Sequence, residues 1–377
     1  MTAVALQRTV EEPGPAPVAS GYLTIDLAAL ARNYRALSSR VAPARAAGVV
    51  KADAYGLGAK LVAPVLYREG CRHFFVALFR EAEALRSILP DDARIFVLNG
   101  LLPGDETACA DLGIVPVLNS PEQVERWSAA AARRGVRLPA VLQVDTGMSR
   151  LGIAPAEWPA ARALLETTDT LDLLFVMSHL ASADDPESPQ NSDQQAEMRR
   201  AVAAFPGIDL CFANSGGIFL GRDFHGALVR PGIALYGGAP TAGAANPMEP
   251  VVRLDIAVVQ TRTVPAGTRV GYSASHVTDR TTRLATLAAG YADGLPRSLG
   301  NRGAVYYDGI RLPIVGRVSM DSVIVDISAL PENALRLGSL VEVIGPHQTL
   351  EDIARDAGTI AYEILTGLGS RYERRYR

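Results

Sequence analysis

The chain has 377 residues, of which 48% are hydrophobic and 20% are charged, and its formal net charge is −3. This length allows two domains, or one barrel and a smaller unit, and the small negative charge argues against a nucleic-acid-binding surface. The three cysteines lie far apart and outline neither a disulfide framework nor a zinc site, so the composition indicates a cytoplasmic protein without a metal.

The chain begins with residues 1–19, an acidic and proline-rich segment that lacks the basic-then-apolar order of a signal peptide. Such a segment is expected to be a loose tail. No apolar run reaches the length needed to span a membrane, so no membrane partner is expected. Order is predicted to begin near Gly21, and Asp26 is a suitable N-cap for a helix with apolar residues at three- and four-residue steps.

Short apolar runs then alternate with longer helical patterns. The predicted strands are Gly48–Lys51, Phe74–Leu78, Arg94–Leu98, Val115–Leu118, Ala140–Val144, Leu171–Met177 and Leu210–Ala213. Helical patterns stand between several of them, at residues 81–89, 121–134 and 157–165. Strands that are apolar throughout and separated by helices indicate a parallel sheet covered on both faces. About eight such units over residues 20–246 favour a (β/α)₈ barrel of the TIM type.

A second domain is predicted over residues 247–377, after a linker of small residues that begins at Gly237. Polar and apolar residues alternate at Arg253–Ile256, and Tyr307-Asp308-Gly309-Ile310 is typical of a tight hairpin. Thr349 and Asp352 resemble a capping box that opens a short helix. The predicted fold class is therefore α/β, a barrel followed by a mostly β domain.

Lysine is almost absent from the chain. Of 37 basic side chains only Lys51 and Lys60 are lysines, and Lys51 closes an apolar run. Arginine does not lose its proton in a protein, whereas an ε-amine can become a base or a nucleophile. A coding bias explains the scarcity of lysine but not the apolar setting of Lys51. That setting, with Gly56 close behind, suits a Schiff base.

Other polar residues follow strands at the edge where a parallel barrel collects its functional groups. They are Arg150, His179, the turn Ser215-Gly216-Gly217, and Arg230. The alternatives are a structural histidine and an ordinary turn, although a glycine-rich turn also offers N–H groups to phosphate. Neither a Walker A nor a GxGxxG pattern is present. A lysine, a phosphate-binding turn and an arginine together suggest pyridoxal phosphate.

Eight segments in order are similar to those of alanine racemases. They are Val49–Gly56, Asp145–Gly152, Ala213–Ser215, Val229–Gly237, Gly271–Tyr272, Gly290–Gly294, Gly316–Asp321 and Tyr362 with its neighbours. The resemblance covers essentially everything after the tail. It implies a pyridoxal-phosphate-dependent amino-acid racemase that works as a head-to-tail homodimer with shared active sites, and no metal ligand is expected.

The resemblance also implies a role for individual residues. Lys51 would hold the cofactor as an internal aldimine and act as one base, and Tyr272 of the partner chain would be the second. The cofactor-binding residues would be Lys51, Tyr55, His179, Ser215, Arg230, Gly232, Ile233 and Tyr362, with Gly232 and Ile233 acting through backbone N–H groups. The substrate-binding residues would be Arg150, Met320 and Asp321, with Tyr291 at the entry.

The chemistry of inversion agrees with these roles. Inverting an α-carbon needs proton removal on one face and delivery on the other, which Lys51 and Tyr272 would divide between them. A tyrosine needs cationic or hydrogen-bonding neighbours to act as a base at neutral pH, and Arg230 and His179 are the available ones. Arg230 against the pyridine nitrogen would keep the ring neutral and limit transamination. The expected function is L- and D-alanine interconversion that supplies D-alanine for peptidoglycan.

Three alternatives remain open. A serine or broad-specificity racemase would use the same residues and differ in its pocket. Related decarboxylases pair a barrel with a β domain but place an acid where Arg230 stands. A non-enzymatic pyridoxal-phosphate-carrying protein of the single-barrel kind lacks the second domain and therefore lacks Tyr272.

One position departs from the family pattern. Many members have a lysine, often carbamylated, where this chain has Gln143, and glutamine cannot form a carbamate. We expect the amide of Gln143, or a bound anion such as chloride, to support Arg150 instead.

Overall fold

A computed structural model describes residues 19–377, so the predicted tail lies outside the described residues apart from Ala19. The strands of this part, numbered along the chain, are β1 (Gly21–Ile25), β2 (Arg45–Ala46), β3 (Gly48–Val49), β4 (His73–Val76), β5 (Arg94–Val97), β6 (Val115–Leu118), β7 (Leu138–Gln143), β8 (Leu171–Met177), β9 (Leu210–Asn214), β10 (Leu228–Arg230), β11 (Val252–Val264), β12 (Arg269–Val270), β13 (His276–Val277), β14 (Thr282–Leu287), β15 (Ala304–Tyr307), β16 (Ile310–Pro313), β17 (Val323–Asp326), β18 (Leu340–Ile344) and β19 (Glu373–Tyr376).

The helices of the same part are α1 (Leu27–Val41), α2 (Lys51–Tyr55), α3 (Ala59–Arg68), α4 (Phe79–Arg86), α5 (Glu106–Asp111), α6 (Pro121–Arg134), α7 (Trp158–Thr168), α8 (Pro189–Ala204), α9 (Gly217–Leu220), α10 (Leu350–Ala357) and α11 (Ala361–Gly367).

Strands β2 to β10 form one parallel sheet that closes on itself. Its order is β2-β10-β9-β8-β7-β6-β5-β4-β3, and β2 and β3 at its two ends are separated only by Ala47. The Ala47 amide bonds to Val229 O at 2.9 Å, so β2 and β3 act as one strand between β10 and β4. Phe75 and Phe96 stack at 4.6 Å between ring centroids in the fully buried core. The predicted fold class is confirmed.

Local sequence explains where the outer helices begin. The Asp26 carboxylate accepts the Ala29 amide at 2.7 Å and caps α1. Ser120 caps α6 through the Gln123 amide, Pro121 occupies the first turn, and Gly135 ends the helix in a left-handed conformation. Each cap satisfies a backbone group that the helix leaves without an internal partner.

The remaining strands build a second sheet at the C-terminal end of the chain. The main path is β16-β15-β18-β11-β1-β19, while β14 pairs with β11 and β17. The predicted hairpin is present, with Asp308 and Gly309 at positive φ between β15 and β16. Strand β1 was assigned by sequence to the barrel segment, but it pairs with β11 and β19 of this sheet. The N-terminal strand thereby ties the two parts of the chain together.

Among the described residues, no helix combines the length and apolar character needed to cross a bilayer. Within residues 19–377, no group of three or more His, Cys, Asp or Glu side chains is arranged to hold a metal ion.

Candidate active site

Several polar side chains selected from the sequence meet at the carboxyl edge of the barrel. Lys51 follows β3, His179 follows β8, and Arg230 ends β10. All three line one cavity of about 200 Å³, together with Arg150 and Gln143. Parallel strands end at the same rim, which is why residues far apart in sequence converge there.

Lys51 begins a turn of unusual backbone conformation. The next four residues, Ala52 to Tyr55, all have φ between 52° and 57°, which is the left-handed region. None of them is glycine, and each left-handed residue with a side chain costs about 1–2 kcal/mol. The sequence prediction of a strand that continues to Lys51 is therefore wrong at its last two residues, since β3 ends at Val49. Contacts from elsewhere must hold this turn.

The turn is held from two sides. On the barrel side, the Glu81 carboxylate accepts the Ala52 amide at 2.6 Å. On the C-terminal side, Arg374 donates to Gly56 O at 2.5 Å, and the Tyr376 hydroxyl donates to Leu57 O at 3.0 Å. The rim of the barrel and the last strand of the chain are thus joined by hydrogen bonds.

Arg230 is buried and fixed by neutral partners. One guanidinium nitrogen donates to Cys211 O at 2.9 Å and lies 3.0 Å from Cys211 Sγ. The other donates to Ser178 O at 2.7 Å and lies 3.3 Å from Nδ1 of His179. No carboxylate within residues 19–377 forms an ion pair with it. Because arginine keeps its proton, the barrel presents a fixed positive charge at this point.

His179 is uncharged at neutral pH. Burial, and then the positive charges of Arg230 and Arg150, lower the pKa of His179 to about 3. It therefore acts as a neutral hydrogen-bonding ring beside Arg230 rather than as a second cation. Burial likewise lowers the pKa of Lys51, with Arg150 and Arg230 adding to the effect and Glu81 opposing it. Both arginines thus favour a free amine at Lys51.

A small cradle lies next to these groups. The amides of Gly232 and Ala234 both point to Ser215 Oγ, at 2.9 and 3.3 Å. A Cβ at Gly232 would collide with the hydroxyl of Tyr55, so only glycine lets that hydroxyl approach the backbone this closely. The Tyr55 ring lies 5.9 Å from that of Tyr362. Converging hydroxyls and backbone N–H groups form a donor set that suits a phosphate, so these residues fit the phosphate end of the cofactor.

Lys51 also borders a second, more open cavity of about 480 Å³. Its walls include Tyr55, Ile360 and Tyr362, so α11 of the C-terminal part faces the lysine across it. The side chains of Ile360 and Tyr362 are exposed here. Of the cofactor-binding residues chosen from the sequence, His179 and Arg230 thus share one cavity with Lys51, and Tyr55 and Tyr362 share the other.

A second set of chosen residues lies elsewhere. Tyr272, Tyr291 and Met320 are on loops of the C-terminal part, all three exposed, and Tyr272 is 70% exposed. None of them lines either cavity that contains Lys51. Asp321 forms an ion pair with Arg371 at 2.7 Å, and Arg371 also binds Asp293. The chain brings these residues together on its own surface but not to its own lysine.

Sequence reasoning missed Glu81, Cys211 and Arg374 as contacts of the site. Glu81 had only a partial local signal, because a capping box combines a glutamate at this position with a Ser or Thr before the helix, where this chain has Leu78. Its additional bond to Ala52 and the bond from Arg374 depend on tertiary contacts that no local pattern reports.

This combination of a closed parallel barrel, a β-rich C-terminal part and a lysine facing a buried arginine defines a class of lysine-dependent cofactor enzymes. Residues 25–240 match the family described as "Alanine racemase, N-terminal domain", and residues 251–376 match "Alanine racemase, C-terminal domain". The chain belongs to the alanine racemase family.

Individual relatives agree with that placement. The chain is 68% identical over 359 residues to "Alanine racemase, catabolic" of Rhizobium johnstonii, covering 95% of each. It is similar to a crystal structure of alanine racemase from Bartonella henselae with covalently bound pyridoxal phosphate. The TM-score is 0.92 and the identity 46%, over 95% of this chain and 100% of that one. A biosynthetic alanine racemase structure from Pseudomonas aeruginosa gives 0.89 and 35%, covering 95% and 99%. The predicted family, enzyme class and cofactor are confirmed.

Proposed function

We propose that this chain interconverts L- and D-alanine with Lys51 as the base on one face of the substrate α-carbon and Tyr272 of the partner subunit as the base on the other. The observation that carries the proposal is the cluster of Lys51, His179 and Arg230 at one rim, next to the Ser215–Gly232 cradle. Family membership points to the same reaction.

Each group has a distinct task. When bound, pyridoxal phosphate withdraws electrons from the bonds to the α-carbon, so that its proton can be removed by an ordinary base. Ser215, Tyr55, Tyr362 and the amides of Gly232 and Ile233 would hold its phosphate. Arg230 would donate to its ring nitrogen while keeping its own proton. The lowered pKa of Lys51 favours the unprotonated amine, which is the form that can act as a base.

The second base requires a second subunit. Tyr272 is exposed and lies outside both cavities of its own Lys51. Exposed Tyr291 and Met320 accompany it, as expected for a surface that a second copy covers. In a two-fold dimer the same patch meets the same rim twice, so two complete sites would form. Arg150, which lines the same cavity as Lys51 and Arg230, would bind the substrate carboxylate.

The biological direction of the reaction is not a property of the site. Enantiomers have equal free energy in water, so consumption of one product sets the net flux. We expected supply of D-alanine for the cell wall. The names of relatives at 68% and 63% identity, both "Alanine racemase, catabolic", favour a catabolic role instead.

The test is racemisation in deuterated water, starting from either enantiomer of alanine and, in parallel, from serine. The expected result is inversion with deuterium at the α-carbon, and faster turnover of alanine than of serine. Lys51→Ala should abolish both the reaction and the yellow colour of the bound cofactor. Lys60→Ala, which removes the only other lysine, is the matched control and should keep both. Inversion without deuterium incorporation would contradict the proposal.

A further inference from the structure

Glu81 combines two contacts that an ordinary helix cap does not need. It is the third residue of α4, and one carboxylate oxygen accepts the amides of Ala77 and Leu78 at 2.8 and 3.0 Å. The other oxygen reaches into the neighbouring strand-end loop and accepts the Ala52 amide at 2.6 Å. The carboxylate therefore bonds two adjacent loops at the rim of the barrel, after β3 and after β4.

The loop after β3 is the one that needs external support. Ala52 is the residue directly after Lys51 and the first of four consecutive left-handed residues. Its amide belongs to the peptide that joins Lys51 to the left-handed turn, so a contact to this amide constrains the backbone that carries the lysine side chain. Since no residue of this turn is glycine, the conformation depends on its contacts rather than on local preference.

We infer that Glu81 is a positioning residue for racemisation, because its carboxylate holds the backbone of the left-handed turn and thereby fixes the direction in which Lys51 enters the site. This inference rests on the proposed function of Lys51. The negative charge of Glu81 also raises the pKa of Lys51 and opposes the effect of the two arginines. Glu81 lines neither of the two cavities that contain Lys51, so it would act through Lys51.

A second helix of the chain shows how the helix-capping contact of Glu81 can be separated from its contact with the Ala52 amide. In α10 the same third position is Asp352, whose carboxylate accepts the Thr349 amide at 3.0 Å. An aspartate is therefore long enough for a cap. Glu81→Asp should keep the cap of α4 and the charge, while the side chain becomes one methylene too short to reach Ala52. The matched control is Glu157→Asp, because Glu157 accepts only the Ala154 amide at 3.1 Å.

The experiment is hydrogen exchange of the full-length protein as purified, resolved to single amides, together with steady-state kinetics. In Glu81→Asp we expect several-fold faster exchange at Ala52, unchanged exchange at Leu78, and kcat/KM lower by about tenfold or more, since small displacements of a reacting group are costly. Glu157→Asp should match the wild type in all three readouts.

Two results would overturn the inference. One is unchanged Ala52 exchange in Glu81→Asp, and the other is faster exchange with wild-type kcat/KM. If Glu81→Asp does not fold, amide exchange in the wild type still tests the inference. Rapid exchange at Ala52 together with slow exchange at Ala77 would show that the carboxylate does not hold the turn. Absence of racemisation in the wild type would contradict the proposed function, whereas the exchange at Ala52 still reports on Glu81.

Discussion

Replacing Gly232 by alanine tests the cradle that the structure assigns to the phosphate end of the cofactor. Gly232 has a negative φ of −121°, so the substitution does not force a side chain into the left-handed region. Its new Cβ would overlap the Tyr55 hydroxyl and lie 3.0 Å from Cζ of that ring. The ring has little room to move, since it is 5% exposed and packs 4.7 Å from Tyr236.

Overpacking of this kind costs about 1–3 kcal/mol of folding free energy. We expect Gly232→Ala to lose that amount in guanidinium unfolding of the cofactor-free protein, and to bind pyridoxal phosphate more weakly in an absorbance titration. Tyr55→Phe removes the overlapping oxygen but leaves the tight Cζ contact. The double variant should therefore recover part of the loss, with a coupling free energy of about 1 kcal/mol.

The control is Gly367→Ala, because a Cβ there meets nothing closer than 4.0 Å. We expect wild-type stability and cofactor affinity for that variant. Wild-type stability of Gly232→Ala, or strictly additive effects of Gly232→Ala and Tyr55→Phe, would refute the proposed packing of the cradle.

Two further predictions concern pH and anions. With a folded-state pKa of about 3 against an ordinary 6.5, His179 takes up a proton only on unfolding in this range, so stability should fall as the pH drops from about 6.5 towards 3. In acid unfolding profiles, His179→Gln should lose less stability than the wild type over this pH range. The control is His276→Gln, at a partly exposed histidine, which should follow the wild type. A His179→Gln profile parallel to that of the wild type would contradict this. The second prediction concerns Gln143, which lines the same cavity as Arg150. If chloride supports Arg150 there, adding chloride to chloride-free enzyme should lower KM for alanine more than it changes kcat. Crystals should then show anomalous density beside Gln143. A chloride-independent KM, or a carbamate at that place, would contradict this.

Much of the barrel could be predicted because its signals are local. Apolar runs separated by amphipathic segments gave strands such as Val115–Leu118 and Leu171–Met177 with their observed bounds. Helix α6 followed from its helical pattern, and the hairpin at Asp308-Gly309 followed from its turn residues. The strands β2 and β10 were missed, since two or three residues are too few to show any periodicity.

The parts of the site that sequence did not reveal depend on distant contacts. The residue types of Lys51-Ala52-Asp53-Ala54 do not predict a left-handed turn. The contacts that support the turn come from Glu81 and from Arg374, and Arg374 is more than 300 residues away in the sequence. The pairing of β1 with β11 and β19 is equally non-local. Lys51, Arg230 and Tyr272 were selected through their motifs, and the roles assigned to them remain predictions.

The most direct test of shared active sites mixes two inactive variants, Lys51→Ala and Tyr272→Phe. A hybrid dimer would contain one site with both substitutions and one site with neither, since Lys51 of one subunit would meet Tyr272 of the other. After subunit exchange, we expect about a quarter of the wild-type racemase activity, because about half of the dimers are hybrids and each has one intact site. A mixture that stays inactive after confirmed exchange would contradict the assignment of Tyr272 to the partner's site.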